Sequence, residues 1–291
     1  MLCYIFAELV EILEILIYNY IIVKMFSLCK FERLRGMKMR VELLNEEEVK
    51  NLFKTWGDFS RVCYDTKKSA SENIGKHCFK SGHFSGSRAT YINFKISDVP
   101  RSTIDQLARK TVGMVINVRS QRYCDESNFD MYVPTIIKNN EQLATMWENH
   151  KAQTQLVYTE TKRILEEEYG KKGEAANEIA RGILPIDTYS QCTVGFTIEG
   201  LIDFMHKRLC TRSQAPIRRL AKKMKLEVIN VLPELADHLV PTCEYMLYCP
   251  ESKPCGKAPS KQDVLAIMNY GITMAQNSMK KATEGESNEE K

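Results

Sequence analysis

The sequence predicts an α+β fold, and three observations carry that prediction. Short segments of alternating or continuous apolar character, Arg40 to Leu44, Thr90 to Ile96 and Cys192 to Ile198, read as strands. Long helical segments lie between and after them, the longest from about Asn139 to Tyr169. The two kinds do not alternate in regular βαβ units and no internal repeat recurs, which leaves strands and helices mixed in one α+β domain. At 291 residues, 44% hydrophobic and 27% charged, the chain has the composition of a globular protein able to bury one large core or two modest ones.

Each element has a local reason. Arg40 to Leu44 is a short strand, and Asn45 to Thr55 a helix with Asn45 as its cap. Lys67 to Ser81 is a helix ended by Gly82, and Thr90 to Ile96 a half-buried strand. Asp98 to Pro100 turns into a helix across Ser102 to Lys110. The long polar helix closes at Gly170, and a shorter one, Gly173 to Ile183, stops before Pro185. After the strand at Cys192 come helices over Glu199 to Leu209 and Gln214 to Leu232, with Pro216 tolerated in the first turn of the second. Beyond Pro259, Lys261 to Met279 is amphipathic and the acidic end after it is expected to be disordered. These segments divide the chain into an apolar extension over 1–36, a main domain over 37–260 and a tail over 261–291.

In the extension, Glu8, Glu11 and Glu14 interrupt the apolar run, no basic region precedes it and no small-residue cleavage site follows. Its longest stretch free of charge, Ile15 to Val23, is too short to span a bilayer, so no membrane partner is expected. A surface or partner-binding helix is one reading. The other, which we favour, is a later start at Met25, Met37 or Met39.

The net charge of +4 is too small to argue for nucleic acid. Ten cysteines without paired spacing fit reduced thiols in the cytoplasm. Cys243, Cys249 and Cys255, with His238 upstream, invite a zinc reading, but five residues between successive cysteines is wider than structural zinc knuckles use, so no metal is assigned. No Walker loop, HExxH or GxSxG motif is present.

The richest segment is QLARKTVGMVINVRSQRY, Gln106 to Tyr123. Arg109, Lys110, Arg119 and Arg122 bracket the apolar run Val112 to Ile116, with Ser120, Gln121 and Tyr123 among the last cations. Arginine forks and a hydroxyl projected around one point suit an anionic small molecule such as a nucleotide. A basic, solvated helix end has the same composition.

This segment resembles the signature of the flavin-dependent thymidylate synthases, Q-x-x-R-H-R, a spacer, then S-x-R-Y. Gln106, Arg109, Ser120, Arg122 and Tyr123 match it, while Lys110 and Thr111 replace a His and an Arg and the spacer is one residue longer. SRVCYDT (Ser60 to Thr66) resembles the family's A-R-V-S-F/Y, and GHFSGSR (Gly82 to Arg88) its G-H-x-[ST]-x-x-E-H, with Arg88 and Ala89 in place of the Glu and second His. ARGILP (Ala180 to Pro185) matches A-R-x-x-L-P, Arg208 falls on the arginine of N-F-L-x-x-R, and TRSQAPIR (Thr211 to Arg218) keeps Gln214, Ile217 and Arg218 of A-Q-W-E-I-R. Five collinear segments over roughly residues 40 to 258 make the resemblance one of homology.

The resemblance implies a mixed, mainly antiparallel twisted sheet flanked by long helices, the thymidylate synthase-complementing-protein-like fold, assembled as a homotetramer with sites built from several subunits. It implies conversion of dUMP to dTMP, with methylenetetrahydrofolate as carbon donor and FAD, recharged by NADPH, as hydride carrier. Gln106, Arg109, Ser120, Gln121, Arg122, Arg181 and Arg208 would hold dUMP, and Arg208 would act catalytically by stabilising negative charge on the uracil. Cys63, His83, Ser85, Arg109, Lys110, Thr111, Thr197 and Asp203 would face FAD. The family's Asn, Arg and Asn ahead of Arg208 become Thr197, Glu199 and Asp203, and Glu199 reverses a charge beside the expected pyrophosphate unless Lys110 or another cation compensates. That departure keeps two alternatives open: a flavin-free uridylate enzyme giving a 5-hydroxymethyl product, and a nucleotide binder without turnover.

Overall fold

The computed structural model describes residues 38–64 and 70–289. The extension over 1–36, Asp65 and Thr66 of SRVCYDT and the expected helix start at Lys67 lie outside the described residues. The chain divides at Lys38, and the unit from Met39 onward carries every element below.

The sheet runs through β1 (Arg40–Leu43), β2 (Ile92–Pro100), β3 (Met114–Val118) and β4 (Tyr189–Phe196). Its order is β1-β2-β4-β3 and each of its strand pairings is antiparallel, in line with the mainly antiparallel sheet expected. Ile92, Phe94 and Ile96 of β2 are buried and alternate as a strand with one face on the core should. β2 runs on through Asp98 to Pro100, where the sequence predicted a turn. A bulge between Ile96 and Val99 absorbs the irregularity, and Asp98 sits there at φ 54, a conformation aspartate tolerates better than most residues. Arg40 holds the Asp98 carboxylate at 3.1 Å.

β3 is the strand the sequence reading missed. It pairs with β4 as a sheet edge and its burial alternates, but four of its five residues are apolar, so the sequence lacks the apolar–polar alternation that marks a half-buried strand.

Helices α1 (Glu46–Lys50) and α2 (Leu52–Tyr64) extend the predicted helix well past Thr55. Asn45 does not cap α1. Its Nδ2 donates to Tyr91 O at 2.7 Å and its Oδ1 accepts from Asn93 N at 2.9 Å, which clips the helix start to the head of β2. Helix α3 (Ser71–Lys80) packs on α2, and Phe53, Trp56 and Phe79 form an aromatic cluster between them.

After α4 (Arg101–Ala108) and α5 (Thr135–Lys138) comes α6 (Glu141–Tyr169), capped by Asn140 and closed by Gly170 at φ 63. Of its residues only Thr154 and Tyr158 are buried. Helix α7 (Glu174–Ala180) passes into a 3-10 turn at Arg181–Ile183. Helices α8 (Ile198–Arg208) and α9 (Ala215–Val231) complete the core. Ile217, Leu220, Ala221, Met224 and Val228 line one buried stripe of α9, which packs along β1 and α8. Burial of each large apolar side chain there stabilises the fold by about 1.5–3 kcal/mol. After α10 (Thr242–Tyr245), α11 (Lys261–Glu289) runs through the end expected to be disordered. No helix among the described residues is long and apolar enough to cross a membrane.

Candidate functional site

The ends of α4, α8 and α9 surround a cleft of about 410 Å³ lined by Gln106, Arg109, Lys207, Arg208, Ser213 and Gln214, with Cys210, Arg212 and Glu251 at its side. Gln106 and Gln214 hydrogen-bond to each other through their side chains. Arg208 Nη2 donates to Gln106 O at 3.1 Å, which fixes the guanidinium against α4. Arg218 Nη1 donates to Thr211 O at 2.6 Å and Ser213 O at 3.0 Å, holding the turn between α8 and α9 closed. Burial lowers the Arg208 pKa, and the neighbouring charge of Arg109 lowers it further. Two guanidinium groups forced together and partly desolvated are stabilised by an anion, which relieves both terms at once.

Ser120, Gln121, Arg122 and Arg181 do not line this cleft. The first three lie on the loop after β3, where Ser120 Oγ accepts from Arg122 N at 3.2 Å. Arg122 reaches α7, with Glu174 and Glu178 both on its Nη2, and Asn177 Nδ2 donates back to Arg122 O at 3.0 Å. Residues 174, 177 and 178 share one helical face, and Arg181, exposed, continues it into the 3-10 turn. Beneath the loop, Arg119 Nη1 lies 2.8 Å from Glu126 Oε1, Lys162 pairs with Asp125 at 3.0 Å, and the Tyr158 hydroxyl accepts from Glu126 N at 3.3 Å. Burial raises the Glu126 pKa despite Arg119.

Of the expected cofactor residues, Lys110, Thr197 and Asp203 meet at α8, while Arg109 lines the cleft. The 3-10 segment Phe84–Ala89 is pressed onto α2, because a Cβ at Gly86 would lie 2.7 Å from Ser60 Oγ and from Trp56 Cδ1. The Phe84 ring lies tilted against Trp56 with centroids 5.5 Å apart, and His83, Ser85 and Arg88 are left exposed. Arg88 Nε meets Glu199 Oε2 at 2.7 Å, so the compensating cation for Glu199 is Arg88. Lys110 pairs instead with Asp203 at 2.9 Å, as does Lys207. Burial pushes the Asp203 carboxyl up, but the hydrogen bonds from Lys110 and Lys207 outweigh it and hold the pKa below the ordinary value.

The Thr197 hydroxyl caps α8, accepting from Gly200 N at 3.1 Å. Gly113, at φ 71, and Gly200 touch: a Cβ on Gly200 would lie 2.3 Å from Gly113 O. That contact docks the head of β3 on α8 and brings Lys110 and Thr111 to the same end. Cys63 is exposed near the end of α2, and the eight described cysteines are all free. Among the described residues no group of His, Cys, Asp and Glu could hold a metal ion.

Sequence reasoning left Glu174, Glu178 and Lys207 unassigned and kept Gln214 only as a motif match. The i, i+4 spacing of Glu174 and Glu178, with Arg181 a helical turn further on, was the available signal for an ion-paired face.

The chain thus sets an antiparallel sheet beside long helices, with Arg109 and Arg208 converging in one cleft and an ion-paired face on the adjoining helix. The profile of the thymidylate synthase complementing protein family matches residues 46–234, and the chain belongs to that family. Among curated relatives, a flavin-dependent thymidylate synthase of Nitratidesulfovibrio vulgaris is 34% identical over 187 residues, 64% of this chain and 76% of that protein. One of Clostridium tetani is 26% identical over 249 residues, 79% of this chain and 99% of that protein. The fold is shared with a UMP/dUMP methylase from Streptomyces cacaoi solved with 5-Br dUMP, at a TM-score of 0.52 and 18% identity, covering 69% of this chain and 94% of that one.

Proposed function

We propose that this chain is a flavin-dependent thymidylate synthase that methylates dUMP to dTMP, with methylenetetrahydrofolate as carbon donor and NADPH as reductant, acting as a cytoplasmic homotetramer. The observation that carries the reading is the pair Arg109 and Arg208 in the cleft, beside Gln106 and Gln214. Arg208, held by Gln106 O, is fixed before substrate arrives, so its positive charge can stabilise an oxyanion on the uracil without reorganisation. Gln106 and Gln214 supply amide donors and acceptors suited to a pyrimidine edge.

Ser120, Arg122 and Arg181 stand apart from that cleft, on the loop and on the 3-10 turn after α7. Their separation supports an assembly in which one subunit's cleft is completed by a neighbour's loop. Exposed Met146, Leu156 and Val157 on α6 offer apolar surface for such an assembly.

The residues around α8 fit a flavin dinucleotide. Arg88, Lys110 and Lys207 face two carboxylates, Glu199 and Asp203, which leaves one cation in excess for a pyrophosphate. His83, Ser85 and Thr111 are exposed. When bound there, FAD supplies the hydride that turns the transferred methylene into a methyl group. The chain's own part is to grip the phosphates, orient the uracil and stabilise its charge.

Incubation with dUMP, methylenetetrahydrofolate, FAD and NADPH, followed by chromatographic and mass analysis, tests the reading. dTMP is the expected product. A 5-hydroxymethyl product made without FAD would replace the reading with the flavin-free alternative, and dUMP binding without any product would leave a silent binder.

A further inference from the structure

We propose that Arg88 anchors the anionic phosphates of the cofactor, with Glu199 as the residue that positions it. The inference rests on the flavin reading above and adds to it the residue that does the gripping. Arg88 and Lys207 are the exposed cations of this face, and of the two only Arg88, a guanidinium, keeps a second donor edge once its carboxylate is bound. Lys110 is largely buried, with 17% of its side chain exposed, and it shares Asp203 with Lys207. The Arg88 side chain is 66% exposed, yet it is not loose. Its Nε donates to Glu199 Oε2 at 2.7 Å and its Nη2 to Glu199 Oε1 at 3.4 Å, so the carboxylate occupies one edge of the guanidinium. A guanidinium carries five donors in a plane, and a carboxylate on one edge leaves the other edge aimed outward for a second oxyanion.

The segment behind Arg88 is closely packed against α2 and α3. Gly86 lies against Ser60 and Trp56, and Phe84 packs among Trp56 and Phe79. Ser87 Oγ closes the turn on Phe84 O at 2.7 Å. Arg88 is therefore offered from a fixed base, with its head held by a residue of α8.

The sequence departures at the two positions are reciprocal. An acid of the family motif becomes Arg88 and a base becomes Glu199, and the structure pairs the two. A lone loss of the cation at 199 would leave a carboxylate facing a pyrophosphate. The exchange instead moves the positive charge across to the 3-10 segment and keeps the pair neutral. An exposed ion pair by itself contributes little to stability.

The test is a titration of the full chain with FAD and, in parallel, with riboflavin, which has the ring but no phosphate. Arg88→Ala should weaken FAD by about 10- to 100-fold, the range for a lost charge-assisted hydrogen bond, and leave riboflavin unchanged. Arg88→Lys should recover part of the loss, and the exchanged double variant Arg88→Glu/Glu199→Arg most of it. An Arg88→Ala protein that binds FAD like the wild type would overturn the proposal while leaving the flavin reading intact. Equal losses of FAD and riboflavin, with a lowered melting temperature, would make Arg88 a structural strut and also overturn it. Wild-type protein that binds riboflavin and FAD equally weakly, or neither, would remove the flavin reading and this inference together.

Discussion

Replacing Arg119 by alanine strands the Glu126 carboxylate, and the size of the effect can be worked out beforehand. The Glu126 side chain is 5% exposed and Arg119 28%, at an ion-pair distance of 2.8 Å. Removing one partner of a buried pair costs about 3–5 kcal/mol. Protonation sets a ceiling, because Glu126 will take up a proton once the charged form becomes more expensive than that. Starting from an unfolded glutamate pKa of about 4.3, protonation at pH 7 costs about 3.7 kcal/mol, and at pH 5.5 about 1.6 kcal/mol. Glu126 already has a raised pKa in the intact protein, and losing Arg119 raises it further. A carboxyl whose folded pKa is raised binds protons more readily folded than unfolded, so the variant should regain stability relative to wild type as pH falls from 7 toward 5.5. Glu126→Gln in the same background should remove the charge and most of the penalty at pH 7. Urea denaturation of wild type, Arg119→Ala, Glu126→Gln and the double variant at both pH values measures this. Additive losses, or an Arg119→Ala penalty independent of pH, would refute the reasoning.

Three further outcomes follow from the geometry. Gly200→Ala places a Cβ 2.3 Å from the Gly113 carbonyl, a backbone atom that cannot swing aside, so it should destabilise by about 1–3 kcal/mol, and an unchanged denaturation midpoint would contradict the contact. His206 has its pKa lowered by burial, against the pull of Asp203, and its Nε2 is buried without a hydrogen bond. A histidine with a depressed folded pKa contributes stability that is complete above its unfolded value of about 6.5 and declines as pH falls below it. Wild type should therefore lose more stability between pH 7.5 and 5.5 than His206→Phe, in thermal melts at the two values. In turnover assays Arg208→Ala should abolish product formation and Arg181→Ala should mainly raise the KM for dUMP; wild-type kinetics in both would show the roles to be misassigned.

Much of the fold was legible because its signals are local. Gly170 closing α6 and the stripe of Ile217, Leu220, Met224 and Val228 are patterns that a short window contains. β3 was not legible, since its burial alternates but exposed Val115 is apolar, so the sequence MVINV shows no apolar–polar period. Asn45 misled for a related reason: an N-cap residue type was spent on Tyr91 and Asn93, almost fifty residues away in sequence. At the site, residue types were readable but partners were not. Glu199 looked like an uncompensated reversal until the fold brought Arg88, 111 positions earlier, against it. Gln106, Arg109 and Arg208 do meet, whereas Ser120, Arg122 and Arg181 belong to a second surface that no spacing rule separates from the first.

The measurement that bears most directly on the central claim is the absorption spectrum of the purified chain titrated with FAD, before and after anaerobic NADPH. The account predicts a saturable bound-flavin band that NADPH bleaches and that dUMP perturbs. A protein that stays colourless at every FAD concentration while still binding dUMP would contradict it.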